Sequence, residues 1–597
     1  MKKLTSVLII VLLASSAPAA TIYVDANGAG DYPTIQAAIN AAVNGDIVEL
    51  QPGTYTGDGN RNINFLGKSI TVRADTGDPN DSIIDPNNQH RGFKFVSGED
   101  SDSVLEAITI INGYADNGLG SGIYNVGSSP DINNCIISNN SAYNLGGGIY
   151  NQNSSPTINN CKLNGNWAKY GSAICNYNNS NPNINNCTLN DNQANYGGGI
   201  YNYNNSNPNV TKCTISNNSA NQLGAVLGLG GGICNKDNSS PSISNCTIIN
   251  NASDLGGGIC NYINCNPRIT KCTISSNSTD YSSGGGIYNS YSSPDINNCI
   301  ISNNNSGSSG GGIYNYDNSN PSITNCIVNN NSANAGGGGI FNYTSNPIIS
   351  HCTINNNNSG SSGGGIYNHD NSNPSINNCI INNNSTSSTG SAIYAWSFSS
   401  PKINNSTICN NSGSSLIYSM DYSYTVLNNC IVWGNQSSSM GYVTVRYCDI
   451  EGGHSGIGNI NTDPCFADPC NNDYHLQSQA GRWDPNAKTW VQDTNVSPCI
   501  DGGDPNSDWT EELWPHGKRI NMGPYGGTPQ ASMSLATIGN PADFDNDDDV
   551  DINDLSLLSD VWPITEILLK EDIDRNGFVD LHDFAIFADN WLWSESP

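Results

Sequence analysis

A four-residue phrase that returns every 25–28 residues constrains this chain more than any other feature. Gly148-Ile149-Tyr150-Asn151 recurs as Gly122-Ile123-Tyr124-Asn125, Gly199-Ile200-Tyr201-Asn202, Gly286-Ile287-Tyr288-Asn289, Gly312-Ile313-Tyr314-Asn315 and Gly365-Ile366-Tyr367-Asn368. Ile174-Cys175, Ile233-Cys234, Ile259-Cys260 and Ile340-Phe341 keep the frame with another residue in place of tyrosine. One longer step holds an insertion around Gly224-Ala225-Val226-Leu227, and counting to Ile417 yields twelve coils. A cysteine keeps the same step at Cys135, Cys161, Cys187, Cys213, Cys246, Cys272, Cys299, Cys326, Cys352, Cys379 and Cys430, with Ser406 in its place once. Fixed-period self-similarity of this kind specifies a stack of thin units, each burying its apolar side chains against its neighbours. A charged fraction of 12% and a hydrophobic fraction of 36% suit thin coils better than a thick globular core. No stretch between residues 118 and 430 has 3.6-residue apolar periodicity, so helical repeats are excluded.

Two repeat architectures have a compatible period. A leucine-rich repeat needs Leu-x-x-Leu-x-Leu, which is absent. A parallel β-helix needs small residues at its corners and like side chains stacked coil on coil, and the Gly-Gly-Gly corners, Ile stacks, Asn ladders and Cys column supply them. Each coil is expected to hold two short strands separated by Asn/Ser/Gly-rich turns. The stacked Asn amides are expected to bond along their column, and the cysteines to line the interior as small, nearly apolar thiols. Twelve coils at ~4.8 Å each make a rod on the order of 60 Å long.

A solenoid needs caps. Thr34, the stripe Ile35, Ala38, Ile39 and Ala42, and Gly45 read as a short amphipathic helix with its N-cap and stop. The passage Tyr32-Pro33-Thr34-Ile35-Gln36-Ala37-Ala38-Ile39 through Pro52-Gly53-Thr54-Tyr55 resembles the start of pectate-lyase-like right-handed β-helix proteins. The Gly-Gly-x-Ile and Ile-x-x-Asn marks (Ile137 to Asn140) resemble repeats of bacterial polymorphic outer-membrane proteins. These resemblances span residue 21 to about 450 and imply a right-handed parallel β-helix: cap and first coils at 21–117, regular repeats at 118–450. Residues 451–537 break the period and resemble the closing module of secreted bacterial β-helix proteins, as in Ser497-Pro498-Cys499-Ile500-Asp501-Gly502-Gly503. They are read as a capping module with one disulfide among Cys465, Cys470 and Cys499. The competing reading makes Trp483, Trp490, Trp509 and Trp514 a sugar-stacking platform.

Residues 538–597 carry two twelve-residue loops, 29 residues apart. The first starts at Asp543 and ends at Asp554, and the second starts at Asp572 and ends at Asp583. Oxygen side chains at positions 1, 3, 5, 9 and 12, with an apolar residue at 8, form an EF-hand-type calcium loop. Asp at position 12, and an apolar helix after each loop but no clear one before it, resemble type I dockerins. The resemblance implies two calcium ions. Asp543, Asp545, Asp547, Asp551 and Asp554, with the Asp549 carbonyl, would hold one. Asp572, Asp574, Asn576, Asp580 and Asp583, with the Phe578 carbonyl, would hold the other. It also implies a cohesin-like partner. The chain departs from the pattern at position 6 of the first loop, where Asp548 replaces Gly. It departs again at positions 10 and 11, which are Ile552-Asn553 and Leu581-His582.

The N-terminus reads as a secretory signal, residues 1–20. Lys2 and Lys3 are its basic end, Leu4 to Leu13 its apolar run, and Ala17-Pro18-Ala19 its cleavage site. The apolar run is too short to span a membrane, so a secreted or cell-surface protein without a transmembrane segment is expected. A net charge of -30 argues against nucleic acid as a partner; polysaccharide is the expected one. Whether the chain is an enzyme stays open at this level. Between residues 118 and 430 there is no glutamate, and the nine aspartates are scattered. Asp237, Asp317 and Asp370 share one register and read as solvated turn residues. The favoured function is a non-catalytic adhesin, carbohydrate binder or displayed scaffold. The alternative is a lyase or glycoside hydrolase of plant or algal polysaccharide, sited near Asp449, Glu451, His454, His475 and His516.

Overall fold

The computed structural model describes residues 19–115, 117–221, 227–565 and 568–595. The basic and apolar parts of the N-terminal segment, and Gly224 to Val226 of the insertion, lie outside the described residues.

The repeat becomes a parallel β-solenoid. One coil shows the plan: strands Ile149–Gln152, Thr157–Asn159, Lys162–Asn164 and Trp167–Tyr170. Each pairs in parallel with its equivalent one coil on, so Ile149 faces Ile174 and Ile158 faces Ile184. The coils thus build sheets of 15, 17 and 16 strands, with a shorter sheet of ten. Two strands per coil were expected and three or four are present. The residue before each cysteine adopts a left-handed conformation (Asn134 φ 52°, Asn160 φ 54°, Asn186 φ 53°), which splits the apparent second strand into two. Asparagine tolerates this region better than most residues. The stack also runs past the twelve periodic coils. The sheet bearing the Ile-Tyr-Asn strands begins at Ile63–Asn64 and Phe93–Phe95 and ends at Met440–Gly441.

Alternation along each strand sorts the side chains. In Ile-Tyr-Asn-x the isoleucine and asparagine point inward and the other two outward. Ile149 and its equivalents are fully buried, each contributing about 1.5–3 kcal/mol by leaving water. The inward asparagines form a continuous amide ladder. Asn125 Nδ2 donates to Asn151 Oδ1 at 2.8 Å, and the pattern repeats to Asn342 Nδ2 and Asn368 Oδ1, also 2.8 Å. A second ladder runs from Asn140 to Asn435, reinforced by each asparagine's backbone N–H donating to the next Oδ1. At the corner between two sheets, Cys135 N–H donates to the Cys161 sulfur at 3.4 Å, and Cys161 Sγ donates to the Ile132 carbonyl at 3.5 Å. The column cysteines are buried free thiols, as the interior reading required. Glycine is needed at the corners for lack of space: a Cβ on Gly147 or Gly148 would lie 2.5–2.6 Å from backbone oxygens of the next coil.

The first coil is covered by α1 (Ile35–Ala41). Thr34 Oγ1 accepts from Ala37 N–H, and Ile35, Ala38 and Ile39 are buried. The region after the last coil folds back along the flank of the stack. Asn378 and Asn405 donate to the Gly526 carbonyl at 2.9 and 3.0 Å, and Asn382 donates to the Tyr474 hydroxyl at 2.9 Å. Ile431, Leu476, Cys499 and Met522 make its apolar contact. The disulfide expected there is not formed. Cys465 and Cys470 are free, and the buried Cys499 thiol donates to Asp449 Oδ2 at 3.2 Å. Two more helices follow, α2 (Ile552–Asp560) and α3 (Leu581–Asp589). Among the described residues no helix is long and apolar enough to cross a membrane.

The first ladder is directional, and its ends show it: Asn125 Oδ1 and Asn368 Nδ2 have no partner, because Phe95 precedes the first asparagine and Ala395 stands where the next one would be. Removing a middle rung orphans two buried groups, whereas removing the last rung orphans one and deletes another orphan. Each orphan costs about 1–3 kcal/mol. Asn289→Ala is therefore expected to lower stability by about 2–6 kcal/mol and Asn368→Ala by clearly less. Urea unfolding followed by circular dichroism measures both; equal losses would contradict the ladder.

Candidate functional site

The acidic loops show the most defined constellation. Asp551 and Asp580 cap α2 and α3, accepting from Asn553 N–H and His582 N–H at 2.6 and 2.7 Å. The position-12 carboxylates close the loops. Asp554 accepts from Phe544, Asp545 and Asp551 N–H at 2.6, 3.3 and 2.9 Å, and Asp583 accepts from Ile573, Asp574 and Asp580 N–H at 2.7, 3.1 and 2.9 Å. The position-1 carboxylates turn inward as well. Asp543 accepts from Asp547 and Asp548 N–H, both at 3.2 Å, and Asp572 from Asn576 and Gly577 N–H at 3.1 and 2.9 Å. The loops are thus equivalent, and they exchange contacts reciprocally. Val550 N–H donates to the Trp593 carbonyl and Val579 N–H to the Ile564 carbonyl, two bonds related by the same 29-residue offset. Phe544, Val550, Leu558, Val579 and Phe587 form the small shared core.

Oxygen ligand atoms gather within 4.8 Å of one another in three groups: Asp543, Asp545 and Asp547; Asp549, Asp551 and Asp554; Asp572, Asp574 and Asp583. Asn576 lies beside Asp574, its Nδ2 donating to Asp574 Oδ2 at 2.9 Å. Asp580 stays with the α3 N-terminus. Asp549, expected to offer its carbonyl, also brings its carboxylate into the second group. Burial raises Asp543 and Asp572 to about 6, and neighbouring carboxylates push the same way. Crowded, partly desolvated carboxylates with only oxygen donors fit a hard divalent cation, whose charge would relieve the repulsion. Position 6 has positive φ in both loops, Asp548 at 72° and Gly577 at 91°. The Asp548 carboxylate is not turned toward the ligand groups; it pairs with Lys518 of the capping region, as does Glu595.

The coil face is the second candidate. The outward residues of the Ile-Tyr-Asn-x strands form aromatic columns not foreseen from the sequence, although tyrosine at alternate strand positions was the available signal. Tyr288, Tyr314 and Phe341 stack at 5.5 and 5.0 Å with planes within 7°, and beside them Tyr316 and Tyr343 stack at 5.2 Å. Stacked in this way, the rings cover one another's faces and present edges and hydroxyls. Asp237, Asp317 and Asp370 occupy one turn register, each at positive φ, as their spacing implied. They do not form a pair. Thr344 occupies the coil between Asp317 and Asp370. Asp317 accepts from the Tyr291 hydroxyl at 3.0 Å. Asp370 lies 3.2 Å from His369 Nδ1, at an angle too poor for a hydrogen bond, and burial lowers that imidazole's basicity.

The residues proposed for an alternative catalytic site are dispersed. Asp449 is buried against Cys499 and Thr462, Glu451 binds Gly434 N–H, and His454 Nδ1 meets the Ser455 carbonyl. His475 is held by Asp473 at 2.6 Å and stacks on Tyr525. His516 lies against Trp509 and is pushed down to about 4 by burial. Of the four tryptophans, Trp483 packs edge-on against Trp490, and Trp509 packs on His516.

A family model described as "Right handed beta helix region" matches residues 80–230, 228–335 and 306–431. A second, described as "Disaggregatase related", matches residues 398–503. No curated protein matches the sequence significantly. Among solved structures, a mannuronic acid specific polysaccharide family 6 lyase from human gut microbiota shares 11% identity, covering 69% of this chain and 86% of its own, with a TM-score of 0.28. The Azotobacter vinelandii mannuronan C-5 epimerase AlgE6 A-module shares 12%, covering 72% and 94%, at 0.29. PfbA, a surface adhesin of Streptococcus pneumoniae, shares 12%, covering 69% and 87%, at 0.26.

Asp554→Ala and Asp583→Ala each remove a carboxylate that holds three backbone N–H groups. Each is expected to abolish one of two calcium-binding heats in calorimetry on the full chain. Retention of both heats in either variant would show that these loops are not the sites.

Proposed function

The chain belongs to the right-handed β-helix family, and from that premise we propose that it is an extracellular, non-catalytic scaffold that binds carbohydrate and is tethered through a calcium-binding, dockerin-like module. The observation that carries this reading is the state of the carboxylates along the coils. Hydrolysis of a glycoside needs two converging carboxyl groups, and lyase chemistry needs a base placed beside a group that acidifies the sugar. Asp317 and Asp370 instead sit two coils apart, Asp317 accepting from the Tyr291 hydroxyl and Asp370 lying beside the His369 ring. The histidines and acids of residues 449–516 are bound to separate structural partners.

In the module, Asp543, Asp545, Asp547, Asp551 and Asp554 would hold one calcium ion, together with Asp549. Asp572, Asp574, Asn576, Asp580, Asp583 and the Phe578 carbonyl would hold the second. Calcium would neutralise these groups and stiffen the segments from which α2 and α3 start. The partner would be a cohesin-like protein. Ile552 and Leu581, exposed at position 10 of their loops, favour a more apolar partner surface than Ser/Thr at those positions would.

Incubation with a panel of acidic and neutral polysaccharides is expected to release no reducing sugar above the blank, while some of the same polymers bind. Release that depends on the intact chain would install the alternative reading, a polysaccharide lyase or glycoside hydrolase.

A further inference from the structure

Each Ile-Tyr-Asn-x strand runs into a turn in the left-handed region, and in most coils the turn has two such residues. The second is Asn179, Asn205, Asn238, Asn264, Asn318 and Asn371 in six coils, with φ between 54° and 62°. Asparagine is suited to that conformation. In the last two such turns the position is taken by Phe398 and Tyr422, each at φ 60°. A bulky aromatic residue there is conformationally unfavourable. The turn itself does not require it. Asn371 N–H donates to the next coil at 2.9 Å and Phe398 N–H does the same at 3.0 Å. Nor does burial offset the strain, because Phe398 is 54% and Tyr422 73% exposed, stacked on each other at 5.3 Å with planes 8° apart.

Two other breaks in the pattern fall at the same place. Trp396 ends the outer aromatic column, turned 76° from His369 where the rings before it lie nearly parallel. It is 37% exposed, and Met420, Tyr424 and Tyr442 continue the exposed surface. Inside, the first amide ladder stops at Asn368, opposite Ala395. The repeat thus changes inside and outside in one coil, and local strain held at the surface is a mark of function.

We propose that Trp396, Phe398 and Tyr422 form a binding site for an uncharged glycan chain. This rests on the carbohydrate-binding reading above and names its surface and ligand class. The aromatic rings offer apolar area to the C–H faces of sugar rings. Asp421, in the first position of the Tyr422 turn, and Asp370, in the first position of the turn one coil before Phe398, offer acceptors to sugar hydroxyls. Charge selects against uronate polymers. From residue 370 to 424 the one base is Lys402, which lies on another sheet, and the chain carries a net charge of -30. The surface is open, so it suits a polymer lying across it.

The test is affinity electrophoresis of the full chain in gels containing hydroxyethylcellulose, galactomannan, xyloglucan or polygalacturonate. At least one neutral polymer is expected to retard the chain. The double variant Phe398→Asn with Tyr422→Asn returns both turns to the residue of the other coils. It is expected to lose at least tenfold in affinity with a melting temperature unchanged or raised, and Trp396→Ala to lose as much. Undiminished binding in both variants, or retardation by polygalacturonate alone, would overturn the site while leaving carbohydrate binding in place. Failure of every polymer to retard the full chain would overturn both readings. Concentration-dependent self-association that the double variant abolishes would assign the surface to a second copy of the chain and overturn the glycan site.

Discussion

Everything in this molecule depends on register between successive coils. A parallel ladder brings each residue over its equivalent one coil away, so a side chain able to bond its own kind is satisfied by repetition alone. The inward asparagines do this. Each amide donates to the next, and the chain of bonds runs from Asn125 to Asn368 without a break. A slip of one residue would place tyrosine inside and leave a column of amides without partners. The cost of that slip lets a chain so poor in apolar residues hold one arrangement, since satisfied buried networks specify as well as stabilise. Isoleucine supplies most of the burial energy and asparagine supplies the uniqueness.

The same register decides what the surface can do. Outward residues also meet their equivalents coil on coil, so runs of tyrosine such as Tyr288, Tyr314 and Phe341 become short columns whose faces are mutually covered. A regular coil is therefore chemically quiet, and chemistry becomes available where regularity ends. The coils around Trp396, Phe398 and Tyr422 are one such end. The acidic module is another: it abandons the solenoid and uses helix N-termini to organise carboxylates.

The module is joined to the capping region by more than the chain between them. Lys518 reaches Asp548 and Glu595, Lys570 reaches Glu511, and the Arg575 guanidinium donates to the Trp514 carbonyl. Asp548 at a position that favours glycine finds a reason here. Its side chain serves the contact with Lys518, at the expense of a left-handed backbone.

The sequence alone determined the solenoid, because its evidence is local and repeated. Ile-Tyr-Asn and the cysteine step state the period, the glycine triplets state the corners, and Thr34 with Ile35, Ala38 and Ile39 states the cap. It also determined the two acidic loops, whose ligand spacing lies within twelve residues. What it hid were features that no single period displays. The split of the second strand was masked because it rests on the left-handed backbone at Asn134 and its equivalents, which an asparagine permits but does not require. The outer coils at Phe93 and Met440 carry other residues in the isoleucine place, and the coil at Ile63 keeps the isoleucine without the Gly-Ile-Tyr-Asn phrase around it. Only the tertiary structure decided that Cys499 serves Asp449 and forms no disulfide, that Asp449, His475 and His516 are held apart, and that Phe398 and Tyr422 meet at the surface. Those outcomes depend on distances between segments far apart in the chain, which folding sets and sequence spacing does not express.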